Sequence, residues 1–303
     1  MNFDFSIIIP TYNGEKTIGR LLKRLVSLAG DYNKEVIIID SQSTDKTLFI
    51  ATKYKKKLNL KTLKIEKCDF NHGGTRNIGV KIAQGKFIYF LSQDAIPLNK
   101  NILNYYIEDF KINKKIVAVF GKHIPYKNTP IIQKFEVICR WERLDKFTNK
   151  KGILIYDKQH PFIIFSKENS LDWYVISNTS CCYKRSFLIK NLFSKSKYGE
   201  DLMLGKRIID MGFLKVYDLR CSVLHSHTYN LIQYFRRENE DLKLRLLHMN
   251  LGIKLNIFCK FKKIVTFDCT LLQKFLYICQ LCFYYMLKII IISQFHKKDE
   301  AST

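Results

Sequence analysis

Residues 5–9 (FSIII) form an unbroken apolar run with β-branched side chains, the pattern of a strand covered on both faces. Over residues 17–28, Ile18, Leu21, Leu22, Leu25 and Val26 recur at helical spacing, and Gly30 follows as a stop. The alternation continues with a strand at 35–40 (EVIIID) and a helix at 45–54 that Ser43 and Thr44 are placed to cap. A strand at 60–65, a helix at 75–84 ended by Gly85 and a strand at 87–91 (FIYFL) complete the series. Strict β-α-β alternation predicts a mostly parallel central sheet flanked by helices, an α/β fold. Such sheets bind ligands beyond the carboxyl ends of their strands. The residues to read for chemistry are therefore 11–13, 40–43, 68–77 and 92–94, and polar or acidic side chains gather at all four strand ends.

The second half is less regular. The pattern predicts a strand within 114–122, a helix over 130–146, and a loop with a short strand in 150–169. An extended stretch at 174–183, a helix at 200–211 ended by Gly212, short strands at 214–217 and 221–224, and a charged helix from 229 to 258 follow. No repeat or low-complexity linker interrupts the chain, so one compact domain with a C-terminal helical appendage is expected. Residues 275–295 carry one charge, Lys288, in 21 positions. A spanning helix needs about 20 apolar residues, but Lys288, Gln280 and three tyrosines weaken that reading. A helix lying in the membrane interface ranks above one packed on the domain or in a dimer, and both rank above a true span.

Composition narrows the class. The chain has 303 residues, 47% hydrophobic and 26% charged, which excludes wholesale disorder. Lys and Arg number 51 against 27 Asp and Glu, and the net +24 is spread as +7, +11 and +6 over residues 1–97, 98–230 and 231–303. A diffuse positive surface suits an anionic membrane, nucleic acid or a phosphate-bearing substrate, but the charge alone leans towards a Lys-, Ile- and Asn-rich genome that biases composition everywhere. No nucleic-acid-binding motif appears, so no nucleic-acid partner is expected. The nine cysteines are irregularly spaced and only Cys279 and Cys282 form a C-x-x-C pair, without a second ligand pair. A reducing compartment is the expectation. The opening apolar run is too short for a secretory leader and stops at Pro10.

Several residues suggest chemistry. Asp40 ends the second strand, where it would accept hydrogen bonds from a base or ribose or serve as a turn acid. Asp94 follows the fourth strand in SQDAIP, where a carboxylate ligates a hard divalent cation or simply makes the turn before Pro97. Glu200 and Asp201 open a helix, a place that favours acids through the helix dipole and also suits a carboxylate taking a proton from an attacking hydroxyl. His225 and His227, two residues apart after a short strand, point the same way and would share a metal or be ordinary surface or core histidines. Arg236 and Arg237 would clamp a diphosphate or form a solvated helix face.

In order, these features resemble the family-2 glycosyltransferases of GT-A fold. SIIIPTYNGEKTIGRLLKRL and EVIIIDSQSTDKT are similar to the family's opening, and HGGTRNIGVKIAQGKFIYFLSQDAIP to the run ending at its metal-binding acid. FNHGGTRN, SQDA, YGEDLMLGKRIIDMGF and VLHSHTYNLIQYFRR resemble the rhamnosyltransferase-like branch. The likeness covers most of residues 5–240.

The resemblance implies a Rossmann-like nucleotide-binding half (1–97) and an acceptor-binding half (98–230), followed by a helical, membrane-associated segment (231–303). It implies transfer of a sugar from a nucleoside-diphosphate sugar to a hydroxyl with inversion, the donor leaning to dTDP-rhamnose and the acceptor a glycan or lipid-linked carrier, in bacterial surface polysaccharide synthesis. By position, Pro10, Thr11, Tyr12, Asn13 and Asp40 would line the nucleoside pocket. Asp69, His72, Gly73, Arg76, Asn77 and Gln93 would lie near nucleotide and sugar, with Arg236 and Arg237 on the diphosphate. Asp94 would hold Mg²⁺ or Mn²⁺, with His225 or His227 a further ligand. Asp201 would be the base, with Glu200 in support or in the alternative role. One departure stands out: the family's D-x-D is Ser92-Gln93-Asp94 here, with only the last acid kept. The expected location is cytoplasmic, peripheral on the inner face of the cell membrane. A non-catalytic nucleotide-sugar or glycan-binding module is the alternative, and the retained acids at 94, 200 and 201 argue against it.

Overall fold

Strand β1 (Phe5–Thr11) is buried along nearly its whole length, and its alternating side chains feed two separate apolar clusters. Phe5, Ile7 and Ile9 meet the α1 face, whereas Ile8 joins Ile37, Ile39 and Val80 on the other side. This two-sided burial explains the continuous apolar runs: a central strand sandwiched by helices has no polar face. The computed structural model describes residues 3–147, 156–157, 160–165, 175–196, 198–229 and 270–300, together with 232–233, 236–237, 239–240 and 264.

The elements run β1, α1 (Ile18–Val26), β2 (Lys34–Asp40), α2 (Thr47–Thr52), β3 (Leu60–Lys64), α3 (His72–Ile82), β4 (Phe87–Leu91), β5 (Ile96–Pro97) and α4 (Ile102–Ile112). Then come β6 (Ile116–Phe120), β7 (His123–Ile124), α5 (Ile131–Phe147), β8 (Tyr156–Asp157), β9 (His160–Phe165), β10 (Ser180–Lys184) and α6 (Arg185–Leu188). The described chain closes with α7 (Glu200–Asp210), β11 (Leu214–Asp218), β12 (Val223–Leu224) and α8 (Leu271–Glu300). Nine strands form one sheet in the order β3-β2-β1-β4-β10-β6-β11-β9-β8. β3, β2, β1 and β4 are parallel, β10 is antiparallel to both β4 and β6, and β6 and β11 are again parallel. A small second sheet, β5-β12-β7, stands apart.

Contacts divide the chain into two units, Met1–Lys127 with Val137–Ser226, and Asn128–Glu136 with His227–Thr303. The first holds both sheets. In the second, Tyr277, Leu281 and Tyr285 of α8 are buried, with Tyr277 against Phe135 and its hydroxyl donating to Glu136 at 3.2 Å. Leu271, Leu272, Phe275, Leu276, Phe283, Met286 and Ile289 of α8 are exposed. Among the described residues no helix is long and apolar enough to cross a membrane.

Three differences from the sequence pattern have physical causes. α4 was not anticipated, although Ile102, Leu103, Tyr106 and Phe110 lie on one helical face and are buried. Asp45, rather than Ser43 or Thr44, serves the start of α2, its Oδ1 accepting from the Thr47 N–H at 2.9 Å. Ser43 is drawn away by Asp40, to which its hydroxyl and its N–H both donate. The mixed stretch 150–169 yields β8 and β9, the latter antiparallel to β11. Most of the charged helix expected at 229–258 falls outside the described residues.

Candidate active site

The carboxyl ends of β1, β2 and β4 meet at one edge, and their side chains tie to one another. Asp40 is fully buried; Thr11 Oγ1, Ser43 N and Ser43 Oγ donate to its oxygens at 2.8, 2.9 and 2.6 Å. Its carboxylate thus organises the β1–β2 edge. Gln93 pairs with the Tyr12 main chain in both directions, accepting from its N–H at 3.1 Å and donating to its carbonyl at 3.0 Å. Asn13, in the left-handed region at φ 45°, takes the Thr44 N–H on its Oδ1 at 2.9 Å. Backbone strain of this kind concentrates where a loop must hold a set shape. Tyr12 is 41% exposed, and Lys67 Nζ donates to its hydroxyl at 2.7 Å. Pro10 is half-buried and Asp69 exposed. Tyr12, Asn13 and Asp69 therefore form an open, polar-rimmed margin beyond the sheet, whereas Thr11, Asp40 and Gln93 build its frame.

Helix α3 faces inward. A side chain at Gly73 would meet the Ser194 carbonyl oxygen at 1.9 Å, so glycine here permits close packing of two main chains. Asn77 forms a two-way pair with the Phe193 main chain, both contacts at 2.9 Å. Arg76 donates to the His72 carbonyl at 3.1 Å and to Glu200 Oε1 at 2.9 Å, with both members of the Arg76–Glu200 pair nearly buried. His72 is half-buried, its ring edge-on to Phe70. Gly73, Arg76 and Asn77 are thus each engaged with other parts of the protein.

Glu200 and Asp201 begin α7, entered through Gly199 in the left-handed region at φ 75°. Glu200 is neutralised by Arg76. Asp201 is partly open, and its two oxygens accept from main-chain N–H groups, Oδ2 from Asn178 at 3.1 Å and Oδ1 from Leu202 at 2.8 Å. Desolvation, and then the neighbouring Glu200 charge, push the Asp201 carboxyl up to about 7, partly offset by the Asn178 N–H and by Arg76. A carboxyl that titrates near neutrality can take up a proton and release it again.

Asp94 lies at the same edge. The register of β10 against β4 places Ser180 opposite Leu91, and Ser92 N donates to the Thr179 carbonyl at 3.0 Å. Asn178, one residue earlier, holds Asp201, so the loop between 177 and 180 joins the surroundings of both acids. The small sheet brings His225 to Asp94: β12 pairs antiparallel with β5, Leu224 opposite Ile96, and His225 Nε2 comes to 3.5 Å from Asp94 Oδ1. The turn before β12 is fixed by Arg220, which pairs with Glu108, Asp109 and Asp218 and lies over the Tyr105 ring. An imidazole nitrogen and a carboxylate oxygen at this spacing fit neighbouring ligand positions on a small divalent ion, which lie about 3 Å apart for bonds of about 2.1 Å. The nitrogen suits Mn²⁺ more than Mg²⁺.

His227 opens the second unit, its ring against Tyr229; there Arg237 lies over Tyr229 and Arg236 is exposed. Two residues at the first unit's edge had not been anticipated. His123 of β7 sets its ring 5.0 Å from that of His225. Asn178 lies in a stretch read only as extended, and its one signal was the polar run SNTS inside apolar sequence.

The profile of glycosyl transferase family 2 matches residues 6–168. The O-antigen chain rhamnosyltransferase WbaN of Salmonella anatum is 30% identical over 236 residues, covering 77% of this chain and 69% of that protein. The poly(ribitol-phosphate) β-N-acetylglucosaminyltransferase TarS of Staphylococcus aureus is 43% identical over a shorter stretch, 33% of this chain and 17% of TarS. Among solved structures, TarS 1-349 in complex with UDP-GlcNAc aligns with TM-score 0.58 at 22% identity, over 93% of this chain and 72% of that one. The mannosyltransferase PcManGT from Pyrobaculum calidifontis, in complex with GDP-Man and Mn²⁺, aligns with TM-score 0.60 at 14% identity, over 100% and 81%. The chain belongs to glycosyl transferase family 2: it is a family-2 glycosyltransferase, and its fold is GT-A.

Proposed function

We propose that the chain is an inverting rhamnosyltransferase of bacterial surface polysaccharide synthesis, moving rhamnose from dTDP-rhamnose to a hydroxyl of a glycan or lipid-linked acceptor. Two O-antigen rhamnosyltransferases among its relatives support the choice of sugar. The observation that carries the reading is the division of labour between adjacent acids: Arg76 neutralises Glu200, while Asp201 stays partly open and titrates near neutrality. In this reading Asp201 takes the proton of the acceptor hydroxyl as that oxygen attacks the anomeric carbon from the face opposite the diphosphate. Tyr12, Asn13 and Asp69 border the nucleoside end, on the frame set by Thr11, Asp40 and Gln93. When bound, Mg²⁺ or Mn²⁺ would be held by Asp94 with His225 and would supply positive charge to the leaving diphosphate.

A panel of nucleotide sugars tests the donor. Release of dTDP from dTDP-rhamnose, dependent on acceptor and on Mg²⁺ or Mn²⁺, is expected; turnover of a UDP-hexose with dTDP-rhamnose left untouched would replace the donor. For the metal ligands, His225→Ala is expected to weaken Mn²⁺ binding by roughly tenfold or more, read by electron paramagnetic resonance of free Mn²⁺. Unchanged binding would remove His225 from the ligand set.

The segment 231–303 is proposed to attach the enzyme peripherally to the anionic inner face of the cell membrane. The exposed apolar residues of α8 and the net charge of +24 support this placement. Leu272→Glu combined with Phe275→Glu is expected to reduce co-sedimentation with phosphatidylserine vesicles while transfer to a soluble acceptor persists. Equal sedimentation of the variant and the parent chain would end that proposal.

A further inference from the structure

Asn178 touches both members of the acid pair. It is 1% exposed. Its main-chain N–H donates to Asp201 Oδ2 at 3.1 Å, and its side-chain Nδ2 donates to Glu200 Oε1 at 3.3 Å, the same oxygen that Arg76 holds at 2.9 Å. The Tyr183 hydroxyl donates to Asn178 Oδ1 at 2.9 Å. Carboxylates accept only, so Glu200 requires the amide nitrogen on its side, and the tyrosine hydroxyl satisfies the oxygen left facing away. The orientation of the carboxamide is therefore set from both ends. Tyr183 is itself fully buried, between Phe90 and Phe193. The loop that carries Asn178 is anchored from below, where buried Lys215 donates to the Val175 carbonyl at 2.7 Å.

We infer that Asn178 is a positioning residue for proton transfer: its main chain fixes the Asp201 carboxylate, and its carboxamide, steered by Tyr183, joins Arg76 in stabilising the Glu200 charge so that this charge bears less on Asp201. The inference rests on the reading of Asp201 as the base. The charged and titratable groups around Asp201 are Glu200 on its own helix, Arg76 from α3, and Cys181 and Tyr183 from β10. Of these, Glu200 is the like charge, and Asn178 is the neutral donor that touches both acids. Removing a donor from Glu200 leaves its charge less compensated and raises the proton affinity of its neighbour.

The test is the pH dependence of the single-turnover transfer rate with saturating donor and metal. Asn178→Ala keeps the main-chain contact and removes the carboxamide. It is expected to move the acid limb upward, on the order of one pH unit, to lower the rate below neutrality by about tenfold, and to leave donor affinity unchanged. In a Glu200→Gln background the same substitution is expected to leave the limb where it stands, because the charge being compensated is gone. Tyr183→Phe, which keeps the ring packing, should give a smaller shift in the same direction and guards against a folding failure of the alanine variant. A rate loss of equal size at every pH, a shift that persists in the Glu200→Gln background, or no change would each overturn the inference. If Asp201→Asn retains transfer, the base reading itself fails; if Asp201→Asn is inactive and the limb still does not move, only the role of Asn178 falls.

Discussion

Asp201→Asn is expected to lower the transfer rate by about 10²–10⁴-fold, the usual contribution of a positioned general base, while donor affinity stays at the parent value. The substitution conserves shape, and asparagine Oδ1 still accepts one of the main-chain N–H groups that fix the carboxylate. What it removes is the capacity to accept a proton from the acceptor hydroxyl. Separate measurements of donor binding by calorimetry and of single-turnover transfer would distinguish this from a binding defect. Because Glu200 stands beside it, retained activity would reassign the base to that residue, and Glu200→Gln would then be the inactive variant. The geometry favours the first outcome, since a carboxylate paired with Arg76 at 2.9 Å in near-complete burial keeps its charge engaged.

Arg76→Ala is expected to cost roughly 3–5 kcal/mol in folding stability, because it strands the buried Glu200 charge. Urea unfolding followed by circular dichroism would read this as a fall in the midpoint without a change in slope. Arg76→Met together with Glu200→Gln is expected to recover most of the loss, since neither partner then buries an uncompensated charge. A single variant as stable as the parent protein would show that the pair contributes little to the fold. The two predictions are separable. Asp201→Asn acts on rate with stability near the parent value, and Arg76→Ala acts on stability first.

The parallel half of the sheet was legible because its strands are covered on both faces. Apolar runs such as FSIII and FIYFL carry that burial directly, and Gly30 and Gly85 punctuate them. The acids at 94, 200 and 201 were legible for a different reason: they follow a strand or open a helix, where a lone polar group is conspicuous. The small sheet was not. β5, β7 and β12 are two residues each, too short for any periodicity, yet they set His225 against Asp94. Nor were the partners of the polar side chains visible. Arg76 and Glu200 lie 124 positions apart, and Asn77 and Phe193 lie 116 apart, so their pairing is a property of the assembled fold. For the same reason the chain alone did not show that Asp40, Gly73, Asn77 and Gln93 engage the protein's own main chain or hydroxyls.

The most direct measurement is the single-turnover rate of sugar transfer from dTDP-rhamnose as a function of pH, at saturating metal, donor and acceptor. With Asp201 titrating at about 7, the carboxylate needed to accept the proton is lost as pH falls, so the rate is expected to drop about tenfold per unit below that point and to level off above it. A rate that stays flat from pH 5.5 to 8.5, measured over roughly three units spanning the titration, would contradict the assignment of Asp201 as the base.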